Sequence, residues 1–381
     1  MTHGTVTLRN GLVFDGAALR SDHAIQFQDG LLAMVGPEAE IPADGDVIDL
    51  DGDILAPGYV DLQVNGGGGI MFNDDPSPDT LRRIASAHRG LGVTSLLPTL
   101  ITDTREKSRA AIAAAILSVQ EGAPGIAGLH LEGPHLSVAR KGAHDPALIR
   151  PMEKDDLEAL LAAAEALPLL KITVAPENVT EDQVSTLSRA GVLVSLGHSD
   201  ADFETCCRYF AAGARCVTHL FNAMSQLGNR APGLVGAALH TGAVSTGLIA
   251  DGVHVHPASM RAALAAKSGP GRVFLVSDAM AVAGTEDTEF SLNGRPISRN
   301  NGILTLADGT LAGADLDLTT AIRVMVEKVG LSTETALQMA TRVPAALIGK
   351  PVGALTPGNT RLTEVIRIAA DLSGAEDIRA A

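Results

Sequence analysis

VLVSLGHSDADFETCCRYFAAGARCVTHLF (192–221) is the stretch on which the architecture turns. VLVSLGH (192–198) reads as a buried strand ending on His198, 201–212 as an amphipathic helix, and CVTHLF (216–221) as a second strand carrying His219. A strand, a helical return and another apolar strand make a βαβ unit, which implies parallel pairing. Working outward, comparable runs lie at 59–64, 93–100, 126–132, 170–176, 245–251 and 272–278. Helical segments at 103–120, 153–166, 180–190 and 257–267 separate most of them; the first begins at Asp103 and the second is rich in Ala, Leu and Glu. Eight such strands with helical returns predict an α/β fold with a closed (β/α)8 TIM-type barrel, not an open doubly wound sheet.

Before the barrel, residues 1–56 read as short strands with turns at Asn10-Gly11, Asp15-Gly16, Asp29-Gly30 and Asp51-Gly52. After the eighth strand a β-rich insertion is expected at about 288–310, followed by helices at 316–329 and 333–347. TEVIRIAADL (363–372) is one more strand, able to rejoin the N-terminal β unit. The expected domains are therefore 57–349 for the barrel, and 1–56 with about 350–381 for the β-rich unit. Gly66 to Gly69 lacks the Lys-Ser/Thr of a phosphate loop and reads as a tight loop over the barrel mouth.

The 381 residues are 46% hydrophobic with a formal net charge of −15, enough apolar content for a large core. An acidic chain with no basic run is unsuited to nucleic acid or anionic membranes. An anionic substrate would need positive charge concentrated locally. Cys206, Cys207 and Cys216 have no metal-site or disulfide spacing and read as reduced thiols. No signal peptide or membrane span is visible, so a cytoplasmic protein is expected.

Active sites of such barrels lie at the C-terminal ends of the strands. Glu132 ends the third strand, His198 ends the fifth, His219 lies in the sixth and Asp278 ends the eighth. A lone His near a strand end is usually a hydrogen-bonded structural residue, and a lone Asp there usually caps a helix. Four of them on four different strands make a more coherent set as a metal site. Two imidazoles and a carboxylate suit a divalent ion such as Zn²⁺ and leave an open position for water, with a second carboxylate beside it to take the proton.

The segments PGYVDLQVNG (57–66), HLEGPHL (130–136), KGAH (141–144), LGHSDA (196–201), THLFNAM (218–224), ADGVHV (250–255) and VSDAM (276–280) resemble, in order, the N-acetylglucosamine-6-phosphate deacetylases of the amidohydrolase superfamily. That resemblance implies a β-sandwich, built from the N- and C-terminal segments, beside the barrel. It also implies Glu132, His198 and His219 as metal ligands, Asp278 as catalytic acid/base, and His144 as a donor to the sugar or its acetyl carbonyl. Gln63, Ala143, Asn222, Ala223, Asp251, His254 and the segment Leu311, Ala312, Gly313, Ala314 would bind substrate. Arg230 and His254 would take the 6-phosphate, with Arg230 reaching across a homodimer. One divalent ion per subunit is expected, Zn²⁺ or Fe²⁺.

The implied reaction is hydrolysis of N-acetylglucosamine 6-phosphate to acetate and the amino-sugar phosphate. The galactosamine epimer, another amidohydrolase activity and a non-catalytic scaffold are the alternatives. His130 and His135 read as supporting residues, His256 as structural, and His3, His23, His88 and His240 as surface or core residues. Two departures from the pattern stand out. Many amidohydrolases place His-x-His at the end of strand one, where this chain has Gln63 and Asn65. The tail has Pro357-Gly358-Asn359-Thr360-Arg361-Leu362 in place of PGxxADLVVLD.

Overall fold

The computed structural model describes residues 4–378, and His3 lies outside the described residues. The chain opens with β1 (Thr5–Phe14), β2 (Leu19–Gln28), β3 (Leu31–Pro37), β4 (Asp46–Asp49) and β5 (Ile54–Pro57). Asn10-Gly11, expected as a turn between strands, instead lies inside β1, where the register against β2 shifts between Leu8 and Gly11. The bulge brings Gly11 against β5's approach: a Cβ there would sit 2.5 Å from the Asp53 carbonyl oxygen, so only glycine fits.

The barrel begins with β6 (Tyr59–Val64). A hairpin, β7 (Gly66–Gly67) and β8 (Ile70–Met71), and helix α1 (Pro78–Arg89) lead to β9 (Val93–Ile101). Then follow α2 (Arg105–Gln120), β10 (Leu129–Glu132), α3 (Lys154–Ala166), β11 (Leu170–Val174), α4 (Glu181–Arg189), β12 (Leu193–Leu196), α5 (Phe203–Ala212), β13 (Cys216–Val217), α6 (Gly233–His240), β14 (Ser245–Leu248), α7 (Pro257–Ala266) and β15 (Val273–Leu275). The order β6-β9-β10-β11-β12-β13-β14-β15 is parallel throughout. The ring closes through Asp278 N–H to the Gln63 carbonyl (3.1 Å), Asn65 N–H to the Ala279 carbonyl (2.9 Å) and a parallel bridge between Val64 and Ala279.

Helix starts are set by side-chain caps: Ser77, Thr104, Thr180 and Asp202 each accept from a backbone N–H one turn in. Helix α1 carries that signal in Ser77-Pro78. Helix α6, GLVGAALH, is buried nearly all round and shows no amphipathic period.

Beyond the barrel strands lie β16 (Glu289–Leu292), β17 (Arg295–Asn300) and β18 (Ile303–Thr305), the expected insertion, and then α8 (Leu318–Val324), α9 (Thr333–Ala340) and α10 (Arg342–Leu347). The single helix expected over 333–347 is broken at Thr341. Pro344 has no N–H for the Ala340 carbonyl and its ring would clash there, so the helix restarts and places the proline in its first turn. The 363–372 run supplies β19 (Val365–Ile368), antiparallel to β5, and β20 (Ala375–Asp377) follows. These segments join the N-terminal strands in one seven-stranded sheet with its own apolar cluster around Leu8, Ile25, Phe27, Leu55 and Val365. Among the described residues no helix is long and apolar enough to cross a membrane.

Candidate active site

The strands expected to carry three of the four chemistry-bearing residues end before reaching them. Strands β12, β13 and β15 stop at Leu196, Val217 and Leu275, so His198, His219 and Asp278 lie two or three residues beyond the strand ends. Each adopts a left-handed backbone, φ 48°, 29° and 51°. Residues with side chains occupy that region at a cost of roughly 1–3 kcal/mol, a strain characteristic of functional sites. The turns follow the regular strands, and all three side chains line the same cleft.

Glu132, His198 and His219 converge: one ligand atom from each lies within 4.8 Å of the others, and all three residues are buried. Glu132 Oε1 is 3.1 Å from His219 Nε2 and 3.3 Å from His198 Nε2, and the two Nε2 atoms are 3.0 Å apart. His198 Nδ1 lies 2.9 Å from the Arg140 carbonyl, which can only accept, so the proton is on Nδ1 and the Nε2 lone pair faces the cluster. A lone pair aimed at a carboxylate oxygen is repulsive unless a cation stands between them, and a carboxylate with two imidazoles is a donor set for a borderline divalent ion. The residues fit such an ion.

Asp278 shares this basin. Its Oδ1 accepts from Gln63 Nε2 (3.0 Å) and Asn65 Nδ2 (2.7 Å), and Gln63 Nε2 also donates to Glu132 Oε1 (3.1 Å). Both amides therefore present their nitrogens to the carboxylates, and Gln63 Oε1 and Asn65 Oδ1 are buried without a partner among the described residues. Burial and the neighbouring Glu132 charge raise the Asp278 pKa above the usual carboxylate range. Glu132 moves the other way: burial would raise it, but the adjacent His198 and His219 rings hold it well below normal. His144 accepts at Nδ1 from the Thr102 amide (3.4 Å) and lies 2.8 Å from the Thr102 hydroxyl, which leaves its proton on Nε2. Burial and then repulsion from His198 push its pKa down to about 3, so the ring is neutral.

Below the cluster runs a buried chain of hydrogen bonds, from Ser195 through Thr218, Thr173 and His130 to Thr99. His130 thus supports the floor of the site. His135, bound to the Arg150 carbonyl, and His256, the N-cap of α7, are structural. His88 is buried against the Gly66 carbonyl, and His23 and His240 lie toward the surface.

A cleft of about 400 Å³ opens above these residues. Glu132, His198, His219, Asp278, His144, Ala143, Asn222, Ala223, His254, Leu311 and Gly313 all line it, and Asp251 Oδ2 grips His254 Nδ1 at 2.5 Å. Gln63, Ala312 and Ala314 are buried behind the wall. Arg230 is exposed and outside the cleft of this single chain.

Several contributors were not foreseen. Asp61 accepts from the Gln63 and Ser277 amides and ties β6 to the segment after β15. Lys171 is buried in the barrel, with its Nζ on the Leu62 carbonyl at 3.3 Å. Arg295, in the insertion, holds the Ala143 carbonyl, and Arg140 and Thr310 line the cleft. Signals existed for two of them. Alternation in β6 puts 61, 63 and 65 on one face, and a lysine inside the apolar run LKITV is anomalous.

The model of the amidohydrolase family matches residues 54–360. The chain is 42% identical over 348 residues to the N-acetylgalactosamine-6-phosphate deacetylase of Shewanella sp. (strain ANA-3), covering 89% of this chain and 88% of that one. It is 34% identical over 345 residues to the N-acetylglucosamine-6-phosphate deacetylase of Haemophilus influenzae, covering 90% and 89%. The crystal structure of N-acetylglucosamine-6-phosphate deacetylase from Pasteurella multocida superposes with a TM-score of 0.91 at 31% identity, covering 97% of both chains. Identity above 30% along nearly the whole chain, with Glu132, His198 and His219 clustered at the barrel mouth, means that this protein belongs to the amidohydrolase family.

Proposed function

We propose that the chain hydrolyses the acetamide of an N-acetylhexosamine 6-phosphate, giving acetate and the free amino-sugar phosphate. The observation that carries this is the convergence of Glu132, His198 and His219 beside a separate carboxylate, Asp278, in one cleft. The relatives named above act on such substrates by their names. N-acetylglucosamine 6-phosphate is the substrate to which the motifs point. The galacto epimer is the second reading, favoured by the 42% identity to a galactosamine deacetylase.

In this reading Glu132, His198 and His219 hold one divalent ion, Zn²⁺ or Fe²⁺. When bound it supplies Lewis acidity, which brings the pKa of water towards ~7. The protein does the rest. Asp278, made more basic by burial, takes the proton of the attacking water and returns it to the departing amine nitrogen. His144, neutral with its proton on Nε2, donates to the acetyl oxygen as negative charge develops there. Asn222 and the segment Leu311 to Ala314 enclose the sugar. His254, oriented by Asp251, takes the phosphate together with Arg230 from the neighbouring subunit of a homodimer.

The amides of Gln63 and Asn65 donate to Asp278, so the strand-one position serves as a hydrogen-bond donor to the base and leaves a single-ion site. We take the N- and C-terminal segments, 1–56 and about 350–381, as the flanking domain expected to be a β-sandwich, outside the chemistry; the seven-stranded sheet they share, with its own apolar cluster, supports a separate unit. The free Cys206, Cys207 and Cys216 support a cytoplasmic location.

Acetate release from both epimeric sugar phosphates tests the reading. One substrate should dominate in kcat/KM, and no release from either would reject the function. Elemental analysis after gel filtration should find one equivalent of ion per chain; two, both needed for turnover, would reject the single-ion site.

A further inference from the structure

A second cleft, of about 870 Å³, opens at the opposite end of the barrel, where the strands begin. Arg215, Arg272 and Arg342 line it. Arg215 immediately precedes β13 and Arg272 precedes β15, so they flank β14: the Arg215 carbonyl accepts from Ser245 N–H, and Arg272 N–H donates to Ser245 Oγ. Two strand spacings put their backbones roughly 10 Å apart, within reach of one ligand for two arginine side chains. Arg342 enters from the start of α10, across the barrel floor.

The electrostatics of this cleft are unusual for the chain. Several arginines elsewhere meet carboxylates, among them Arg9 with Glu38, Arg89 with Asp377, Arg299 with Asp315 and Arg367 with Asp53. Among the described residues, none of the three cleft guanidinium groups has an ion pair or a side-chain hydrogen bond, and no Asp or Glu lines the cleft, although the chain carries 44 acidic residues against 29 basic ones. All three residues are exposed, and an anion entering the cleft meets positive charge that no carboxylate of its lining offsets. Guanidinium groups bind phosphate oxygens in a bidentate manner, and the Ser188 and Ser245 hydroxyls on the same wall can add to them.

We propose that this cleft binds a small phosphate-bearing molecule, at a site separate from the barrel mouth. Its volume is in the usual range for small-molecule sites, roughly 300–1,000 Å³. Val343 and Leu347 give it an apolar side against which the body of such a ligand can rest. A nucleic acid fits poorly, because the chain as a whole carries −15 and the three arginines form a pocket, not a stripe.

Calorimetric titration of the full-length, metal-loaded protein with pyrophosphate tests this, comparing wild type with the triple variant Arg215→Gln, Arg272→Gln, Arg342→Gln. The wild type should bind one more equivalent than the variant, the lost site weakening by about 100-fold or more. Acetate release should be unchanged, since none of the three lies at the barrel mouth. Equal pyrophosphate stoichiometry in both proteins overturns the proposal, and so does wild-type binding of heparin without binding of pyrophosphate. Should the triple variant not fold, the single Arg→Gln variants decide. Each must weaken pyrophosphate at least a few-fold, and no change in any of them overturns the site.

Discussion

At the scale of single residues, Asp278 meets the cleft with Oδ1 already held by two amide donors, which fixes the carboxylate before substrate arrives. An asparagine at 278 keeps an Oδ1 for both amides yet cannot take a proton from water. Asp278→Asn should retain fold and metal and lose at least ~10²-fold in turnover. Near wild-type acetate release from the metal-loaded variant would remove Asp278 from the chemistry. Asp61 makes a different prediction. Burial raises its pKa from 3.8 to about 7, so between those values the folded protein holds a proton that the unfolded chain has released. The resulting stability is full below pH 3.8 and is lost as pH rises through about 7. Asp61→Asn keeps an oxygen for the Gln63 and Ser277 amides but does not titrate there. Denaturant midpoints at pH 5 and pH 8 should fall further apart for wild type than for the variant; equal gaps would show that Asp61 is not the titrating group.

At the scale of elements, the segment after β18 lines the cleft through Thr310, Leu311 and Gly313. Ala314 N–H donates to the Asp278 carbonyl, and Ala314 bridges Ala279, so Leu311 to Ala314 are built onto the backbone that carries Asp278. Gly313 sits at φ +65°, and a Cβ there would lie 2.4 Å from Met280 Sδ and 3.0 Å from the Asp278 carbonyl oxygen. Gly313→Ala must therefore shift Met280 and Asp278 together. Turnover is expected to fall at least tenfold, in line with the ~10²-fold that a 1 Å misplacement can cause, while the melting temperature changes little. A variant with normal kcat would show that the segment moves independently of Asp278. The break at Thr341 belongs to the same scale: Pro344 dictated it locally, and a helical pattern over 333–347 concealed it.

At the scale of the whole molecule, Arg230 is the residue that a single chain leaves unexplained, exposed and away from the cleft. If it serves a neighbouring subunit, Arg230→Ala and Asp278→Asn inactivate different halves of each shared site. Co-refolding the two inactive variants should restore roughly a quarter of wild-type activity, because half the dimers are mixed and each mixed dimer holds one intact site in two. No recovery in dimers shown to be mixed would place Arg230 outside the neighbouring site.

The barrel was legible because its strands are buried on both faces and read as continuous apolar runs, with capped helices between them. The β19 strand was legible for the same reason. Helix α6 left no amphipathic signature, because burial on all sides removes the polar face that makes one. Sequence motifs named Glu132, His198, His219, Asp278 and His144, since residue type determines what an atom can ligate or protonate. Tertiary structure decided where those atoms meet. Left-handed turns at His198, His219 and Asp278 take them past the strand ends, and Asp61, Thr102 and Arg140 fix backbone and tautomers from segments remote in sequence. Such positioning depends on through-space contacts between distant segments, and no local pattern of residues encodes it.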